Sequence, residues 1–339
     1  MSDTPPDRGT LDAARMLLER LGVTVEDLLA EPAAESKAPT FAEFMPTVTA
    51  TLSPGSQRVY GTYLNRAVEA WGDRPLDTIV PSDIAVLAQR IRVERIVRRT
   101  DRGGSGAVEH LVGALRYFYK CAVNDKHLTD SRNPAKQVPK PRRKPSTRRG
   151  LPDEQVAELV AAAAAGGDDP ALDALMMRFH IETACRRGGL LSLQPRDLDP
   201  KLCLVKLREK AETQRWQPVS PTLMVHLLAH VESRGGANGN GVFRHPNGKP
   251  ITKRRYEQIW ERLGKTLPWV ATQMVTAHWL RHTTLTWVER NFSHAVAQAY
   301  AGHAGPGDGN STANYVKATL QEVAKALAEL SEEAHPLAS

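Results

Sequence analysis

The sequence predicts a mainly α-helical protein with a small β-hairpin or sheet, built as a helical domain followed by a larger mixed domain. Three observations support this fold class. Apolar residues recur at helical spacing through most of the 339 residues. Two short segments on either side of residue 210 are typical of strands joined by a polar turn. A segment rich in proline and arginine then divides the chain near its middle.

The first 39 residues are expected to form an acidic helical extension and a linker. Leu11, Ala14 and Leu18 recur at helical spacing, and Gly22 stands where a helix of this kind ends. The extension contains eight acidic and four basic residues. Whether it docks on the neighbouring domain, docks on another protomer or stays mobile is left open by its composition.

Residues 40–134 are expected to form a bundle of four helices. Three of the four helices show a clear apolar face in the sequence. The second of these three begins at Pro81, where a proline and the capping residues Ser82 and Asp83 favour a helix start. The inward faces are expected to consist of Val59, Tyr60, Tyr63, Leu64, Ala67, Val68 and Trp71 in the first, Ile84, Leu87, Ala88 and Ile91 in the second, and Leu111, Val112, Leu115, Phe118 and Tyr119 in the third.

A basic linker is predicted over residues 135–150. It contains seven lysines or arginines, three prolines and no acidic residue. Prolines keep such a segment extended and like charges keep it from collapsing, so a solvated tether is one interpretation. The other is a strap that follows a phosphate backbone. We expect phosphate contacts of this kind from Arg90, Arg92, Arg95, Arg142, Arg143, Lys144, Arg148 and Arg149.

Residues 151–339 are expected to form the second domain. An alanine-rich helix begins it, a second helix covers 172–185, strands cover 202–207 and 215–219, and helices follow. In the last helix an apolar stripe runs from Leu320 to Leu330. The stripe is expected to pack either on its own domain or on a neighbouring protomer.

The composition narrows the classes of function. The formal net charge is +7, and since the first 39 residues carry −4, the remainder carries +11, which favours nucleic acid as partner. Aromatic residues make up only 6%, which argues against a carbohydrate-binding surface. Three widely spaced cysteines form neither a disulfide framework nor a metal knuckle. Without a long apolar run or a signal pattern, membrane and secreted proteins are set aside, and a cytoplasmic, nucleoid-associated protein is expected.

Four clusters contain residues suited to chemistry on an anion. Arg186 follows a helix end beside two glycines, and an arginine there is either a surface cap or an anion clamp. Lys210 lies in the predicted hairpin turn, where most lysines are only solvated. His278 and Arg281 share a helix face. His278 and His282 are four residues apart, a spacing at which two histidines can bind zinc, although no nearby carboxylate supplies a third ligand.

The fourth cluster is a Gly-His pair followed by a glycine-rich loop and a tyrosine. Taken alone, a tyrosine in such a position is usually a packing residue. The order of all four clusters, however, resembles the tyrosine recombinase (phage-type integrase) family, which has the pattern Arg, Lys, His-x-x-Arg, His, Tyr. The resemblance covers the helical core-binding domain, the basic linker and the catalytic domain. It implies six catalytic residues: Arg186, Lys210, His278, Arg281, His303 and Tyr315.

The resemblance also implies a mechanism and partners. The two arginines would neutralise the scissile phosphate, Tyr315 would attack it to give a 3′-phosphotyrosine, and Lys210 would protonate the leaving 5′-oxygen. No cofactor, metal or ATP is required. The expected partners are a double-stranded DNA recombination site, three further protomers in a homotetramer on synapsed DNA, and an accessory directionality factor. A telomere resolvase, a type IB topoisomerase and a catalytically silent DNA-binding relative are the alternatives.

Three departures from the family pattern bear on the site. Ala184 replaces a glycine, and Gly189 stands where the family has an acid, so we expect Arg186 to be less firmly oriented. His303 and Tyr315 are twelve residues apart, where about nine is common, and a loop tolerates this insertion. Tyr300 is the one nearby rival for the nucleophile.

Overall fold

The computed structural model describes residues 8–21, 38–94, 104–142, 149–209, 214–235, 241–302 and 318–338. The chain divides into two compact units, Met1–Pro145 and Ser146–Ser339, each with its own hydrophobic core. Within the described ranges, the helices are too short or too polar to cross a bilayer.

The first unit is helical throughout its described residues. An N-terminal helix, α1 (Arg8–Leu21), is followed by four long helices and one helical turn. These are α2 (Phe41–Thr51), α3 (Pro54–Trp71), α4 (Pro81–Glu94), α5 (Ser105–Asn124) and the turn α6 (Pro134–Gln137), with 3-10 turns at Leu76–Thr78 and Asp130–Arg132. Side-chain caps at Thr40 and Ser53 satisfy the first amides of α2 and α3, which sets where these helices begin.

The core of the first unit confirms the predicted faces of α4 and α5, because the nine residues named for these two faces are all buried. Phe41 stacks on Phe118 with ring centroids 4.0 Å apart. On α3 the prediction was wrong for Val59, which is 40% exposed. The buried stripe is centred on Leu64, Ala67 and Trp71, and Val59 lies at its margin, because the apolar pattern is wider than the surface that α5 covers.

The start of the predicted linker is folded onto the first unit. Asn133 caps α6, Ala135 is fully buried, and Arg116 donates hydrogen bonds to the carbonyls of Ala135 and Val138. The expectation of an extended chain is therefore wrong for residues 135–137. A capping side chain and a guanidinium that binds the freed carbonyls outweigh the neighbouring like charges.

The second unit combines helices with a three-stranded antiparallel sheet. Its helices are α7 (Asp153–Ala164), α8 (Pro170–Thr183), α9 (Arg187–Ser192), α10 (Pro221–Ser233), α11 (Lys253–Thr266), α12 (Pro268–Thr272), α13 (Ala277–Asn291), α14 (His294–Ala301) and α15 (Leu320–Ser331), with a 3-10 turn at Pro195–Asp197. Its strands are β1 (Leu198–Asp199), β2 (Leu204–Arg208) and β3 (Gln214–Pro218), paired in that order with Lys206 opposite Trp216. The predicted hairpin is β2–β3, and β1 is too short to show alternation in the sequence.

Helix α8 is the centre of the second unit. Nine of its fourteen residues are buried, and it contacts α7, α10, α13 and α15. The last helix, α15, buries Val323, Ala326 and Leu327 in a cluster that includes Tyr300. Its apolar stripe is thus covered by its own domain, one of the two arrangements expected from the sequence, and docking on a neighbouring protomer stays a prediction.

Candidate active site

The C-terminal end of helix α8 is the point where the elements of the site meet. The last carbonyls of a helix have no partner within it and must find donors elsewhere. Here four successive carbonyls accept side-chain hydrogen bonds from three other elements. From α13, Thr284 donates to the carbonyl of Ile181 and Arg281 donates to that of Ala184. Tyr300 of α14 donates to the carbonyl of Glu182, and Arg215 of β3 donates to that of Thr183. The helix end therefore holds α13, α14 and the hairpin around the segment that leads into Arg186.

Arg281 connects the end of α8 to the end of α14. It is buried, and its guanidinium donates to the carbonyl of Ala184 and, over 2.7 Å, to the carbonyl of Ala301. Ala184 lies two residues before Arg186, and Ala301 ends α14 immediately before Gly302. One side chain thus joins the Arg186 segment to the Gly-His segment predicted from the sequence.

Ala184 has a left-handed backbone conformation, with φ of +48°. This geometry turns the chain out of α8 and aims its carbonyl at Arg281. Glycine adopts such a conformation without strain, so the alanine is held there by the contacts of the surrounding core, in which it is fully buried.

Arg186 has an acidic partner that the sequence analysis did not identify. The Glu209 carboxylate accepts a hydrogen bond from the Arg186 backbone amide at 2.5 Å and another from its guanidinium at 2.7 Å. A Cβ atom at Gly189 would lie 3.4 Å from the Glu209 side chain. A carboxylate that directly follows β2 thus lies beside Gly189 and contacts Arg186, and the expectation that Arg186 is less firmly oriented stays a prediction.

Arg215 is a further arginine at the site. Its guanidinium donates to the carbonyl of Thr183 and to Gln217, and no acceptor among the described residues lies within reach of its Nε. A Cβ atom at Gly302 would lie 2.6 Å from that Nε, and Gly302 itself has φ of +68°. The glycine of the Gly-His pair is therefore required both by its backbone conformation and by close approach to Arg215.

The electrostatics of the cluster follow from burial. The pKa of the Arg281 guanidinium is lowered to about 10, first by burial and then by the positive charge of Arg186, while Glu209 acts in the opposite direction. A group with that pKa remains charged at pH 7. Burial raises the pKa of the Cys185 thiol to about 12, so this cysteine stays protonated and is not a nucleophile.

His278 lies on the first turn of α13 and is exposed. Its ring meets that of His282 edge to face, with centroids 4.8 Å apart. Within the described ranges no three histidine, cysteine or acidic side chains are grouped as ligands for a metal ion.

Tyr300 is excluded as the nucleophile. It is fully buried, its hydroxyl donates to the carbonyl of Glu182, and burial raises its pKa far above the usual value. A phenol without access to solvent or substrate cannot attack a phosphate.

Three of the six predicted catalytic residues, Lys210, His303 and Tyr315, lie outside the described residues. The described chain reaches Glu209, directly before Lys210, and Gly302, directly before His303. Arg186 and Arg281 are brought together through Ala184, and His278 lies one helical turn before Arg281.

The predicted DNA-binding residues are spread over both units. Arg90 is exposed but pairs with Glu94 one turn along α4 at 2.8 Å. Arg92, Arg142 and Arg149 are exposed. The remaining four lie outside the described residues: Arg95, Arg143, Lys144 and Arg148.

Sequence reasoning missed Glu209 and Arg215. Glu209 lies within the predicted hairpin turn, directly after β2, and Arg215 begins the predicted strand that follows the turn. A charged residue at the end of an apolar strand is a weak signal, and only the packing of β2 beside α9 shows what Glu209 contacts.

Comparison with known proteins identifies relatives in sequence and in structure. Residues 149–322 match the model of the phage integrase family. Tyrosine recombinase XerD of Staphylococcus saprophyticus is 23% identical over 237 residues, covering 66% of this chain and 76% of that protein. Among solved structures, a lambda integrase tetramer bound to a Holliday junction has a TM-score of 0.63 at 16% identity, over 94% of this chain and 89% of that one. The Tn1549 transposon integrase in complex with a circular intermediate DNA has a TM-score of 0.61 at 18% identity, over 86% and 99%.

Proposed function

The chain belongs to the phage integrase family, the tyrosine recombinases that cut and rejoin DNA, and we propose that it acts at a specific site through a 3′-phosphotyrosine intermediate. The observation that carries the proposal is the link from Arg281 to Ala184, which holds two arginines of the predicted set at one helix end. Two guanidiniums are suited to a phosphodiester, because their forked donors match its non-bridging oxygens and keep their charge at neutral pH.

In this proposal each residue has a distinct task. Arg186 and Arg281 neutralise the scissile phosphate and stabilise the charge that develops in the transition state. His278 and His303 donate further hydrogen bonds, and His278 assists removal of the phenolic proton. Tyr315 attacks phosphorus and Lys210 protonates the departing 5′-oxygen. The phosphotyrosine conserves the bond energy, so a 5′-hydroxyl from another strand reverses the step without ATP or a metal.

We propose a homotetramer on two synapsed DNA sites as the active assembly. The support is by similarity: the related lambda integrase forms a tetramer on a Holliday junction. The exposed arginines of the linker and of α4 would contribute phosphate contacts, and an accessory protein would set the direction of the reaction.

The test is covalent trapping by Tyr315→Phe. Phenylalanine keeps the ring and removes the attacking oxygen, so the variant should bind DNA as the parent does and form no adduct. The substrate is a nicked duplex whose site is selected from random sequences by binding to the purified protein. Loss of a short strand from the nick normally traps the phosphotyrosine, which is seen as a shifted band on a denaturing gel.

Tyr300→Phe is the matched control. It loses only a hydroxyl that donates to the Glu182 carbonyl, so it should cost stability of about 1 kcal/mol and still be trapped. An adduct that persists in Tyr315→Phe would show that the nucleophile is misassigned. A parent protein that binds its site but is never trapped would be the silent DNA-binding relative.

A further inference from the structure

Glu209 holds Arg186 at two points. One carboxylate oxygen accepts from the Arg186 backbone amide at 2.5 Å, and the other accepts from the guanidinium at 2.7 Å. The Glu209 side chain is 1% exposed, whereas that of Arg186 is 35% exposed. The buried carboxylate therefore holds both the backbone amide and the guanidinium of Arg186, while part of the arginine side chain remains exposed.

The hydrogen bond from the Arg186 backbone amide to Glu209 satisfies an amide at the start of the short helix α9. Arg186 is the N-cap of α9, and it makes no side-chain capping bond of its own. In a capping box, a glutamate at the third helical position reaches back to the N-cap amide. That position is Gly189, and Glu209 makes the bond instead from another element.

The room for Glu209 depends on Gly189. A Cβ atom there would lie 3.4 Å from both Cγ and Oε1 of Glu209 and 3.6 Å from Cβ of Cys185. A glutamate at position 189 would occupy the same space and repel the Glu209 carboxylate. The two positions are thus alternatives for one carboxylate.

Charge gives the contact a second effect. Arg186, Arg215 and Arg281 interact electrostatically with one another, and the Glu209 carboxylate favours the charged forms of Arg215 and Arg281. Without this anion, three positive charges around a buried helix end would repel each other and drive the most exposed one, Arg186, outward.

From these contacts we propose that Glu209 is the positioning residue for Arg186, taking the place that a side chain at position 189 would otherwise fill. The proposal rests on the proposed function, in which Arg186 binds the scissile phosphate. Glu209 is buried and does not contact the phosphate itself. Because it directly precedes Lys210, it also ties the hairpin that contains the predicted general acid to the phosphate-binding arginine.

The kinetic test compares Glu209→Gln and Glu209→Ala with the parent on the nicked substrate. Trapping should slow at least 10-fold, while DNA affinity changes less than 3-fold. In an Arg186→Ala background, Glu209→Ala should cause no further slowing, since the residue acts through that arginine. A further loss in that background would overturn the proposal.

A sulfur-substituted substrate separates Arg186 from Lys210. Sulfur at the bridging 5′ position leaves without a proton, so it should restore cleavage to Lys210→Ala. It should not restore Glu209→Ala, whose defect lies at the non-bridging oxygens. Rescue of Glu209→Ala by sulfur would mean that Glu209 positions Lys210 and would contradict the assignment.

The most specific test supplies the carboxylate from position 189 instead of position 209. Gly189→Glu should slow trapping in the parent but raise it at least 5-fold in Glu209→Ala, where the space is empty. Failure of the double variant to exceed Glu209→Ala would overturn the proposal. The matched control is Asp197→Ala, which removes a buried carboxylate paired with Arg208 of β2 rather than with Arg186. It should lower stability and leave the trapping rate of folded protein within 2-fold.

A readout without DNA keeps the two proposals distinguishable. In protein with ¹⁵N-labelled arginine, the guanidinium signal of Arg186, assigned with Arg186→Lys, should be resolved in the parent and averaged in Glu209→Ala. It should reappear in the Gly189→Glu, Glu209→Ala double variant. An unchanged signal in Glu209→Ala contradicts the positioning role, whereas a parent that never forms an adduct contradicts only the proposed function.

Discussion

At the scale of single residues, Arg281 shows how a buried charged group can connect two elements of the fold. Two backbone carbonyls, of Ala184 and Ala301, accept its guanidinium protons, so the residue is a bracket between α8 and α14. Burial keeps it in place, and the lowered pKa of about 10 still leaves it charged at neutral pH. The planar fork of the guanidinium has donors that reach both carbonyls at once.

Arg281→Lys should therefore lose stability although it retains the charge. A lysine ammonium reaches at most one of the two carbonyls, and a buried carbonyl left without a donor costs about 1–3 kcal/mol. Urea unfolding measures the loss, with Arg290→Lys at the exposed end of the same helix as control, expected to change stability by less than about 0.5 kcal/mol. Equal stability of Arg281→Lys and the parent would refute the bracket.

At the scale of elements, the segment after α15 holds the last helix on its own domain. The Glu333 carboxylate accepts from Arg178 of α8 at 2.7 Å and from the backbone amide of Thr222 at the start of α10 at 3.0 Å. Two residues further, His335 is buried and bonds to the carbonyl of Cys203 before β2. The end of the chain thus ties three elements of the second unit together.

The Glu333 contact should make stability depend on acid pH. Burial raises the pKa of its carboxyl, but hydrogen bonds from Thr222 and Arg178 outweigh burial and the pKa lies below its usual value. The stabilisation is therefore fully present above the ordinary glutamate pKa of about 4.3 and is lost as the pH falls through the lower folded value.

Glu333→Gln should accordingly be less stable than the parent by about 1 kcal/mol at pH 7. The difference should vanish as both proteins are unfolded in urea at successively lower pH below about 4. Glu329→Gln, on an exposed position of α15, is the control and should change stability at pH 7 by less than about 0.5 kcal/mol. A Glu333 effect that stays constant down to pH 3 would show that the ion pair does not contribute.

At the scale of the whole molecule, two units with separate cores are joined by a segment of high positive charge. The structure describes only Arg142 and Arg149 of its predicted DNA contacts, and both are exposed. The seven basic residues of 135–150 and the net +11 of residues 40–339 make the chain a polycation beyond its acidic extension.

Neutralising Arg142, Arg143, Arg148 and Arg149 with glutamine should reduce the salt dependence of DNA binding. Each lost phosphate contact lowers the slope of log affinity against log salt by about 0.9. The slope is measured by fluorescence anisotropy of labelled DNA at salt concentrations from about 50 to 300 mM. The matched control is Arg15→Gln with Arg20→Gln in the acidic extension, where both side chains are exposed. An unchanged slope in the linker variant would mean that the segment is only a tether.

The sequence by itself determined the helical class, the inward faces of α4 and α5, the β2–β3 hairpin and the family to which the motifs belong. These features are local: a period of 3.6 or 2 residues, or a short motif, is readable wherever it occurs. The resemblance also named Arg186 and Arg281 as a pair that would bind one phosphate, and their catalytic role stays a prediction.

Only the tertiary structure decided what supports those residues. Glu209 meets Arg186 across 23 positions of the chain, Tyr300 meets Glu182 across 118, and Arg281 meets Ala184 across 97. No periodicity encodes such pairs, since each depends on how β2, α13 and α14 pack around the end of α8. The same packing excluded Tyr300 by burying its hydroxyl and gave Gly189 its meaning as the space that a distant carboxylate fills.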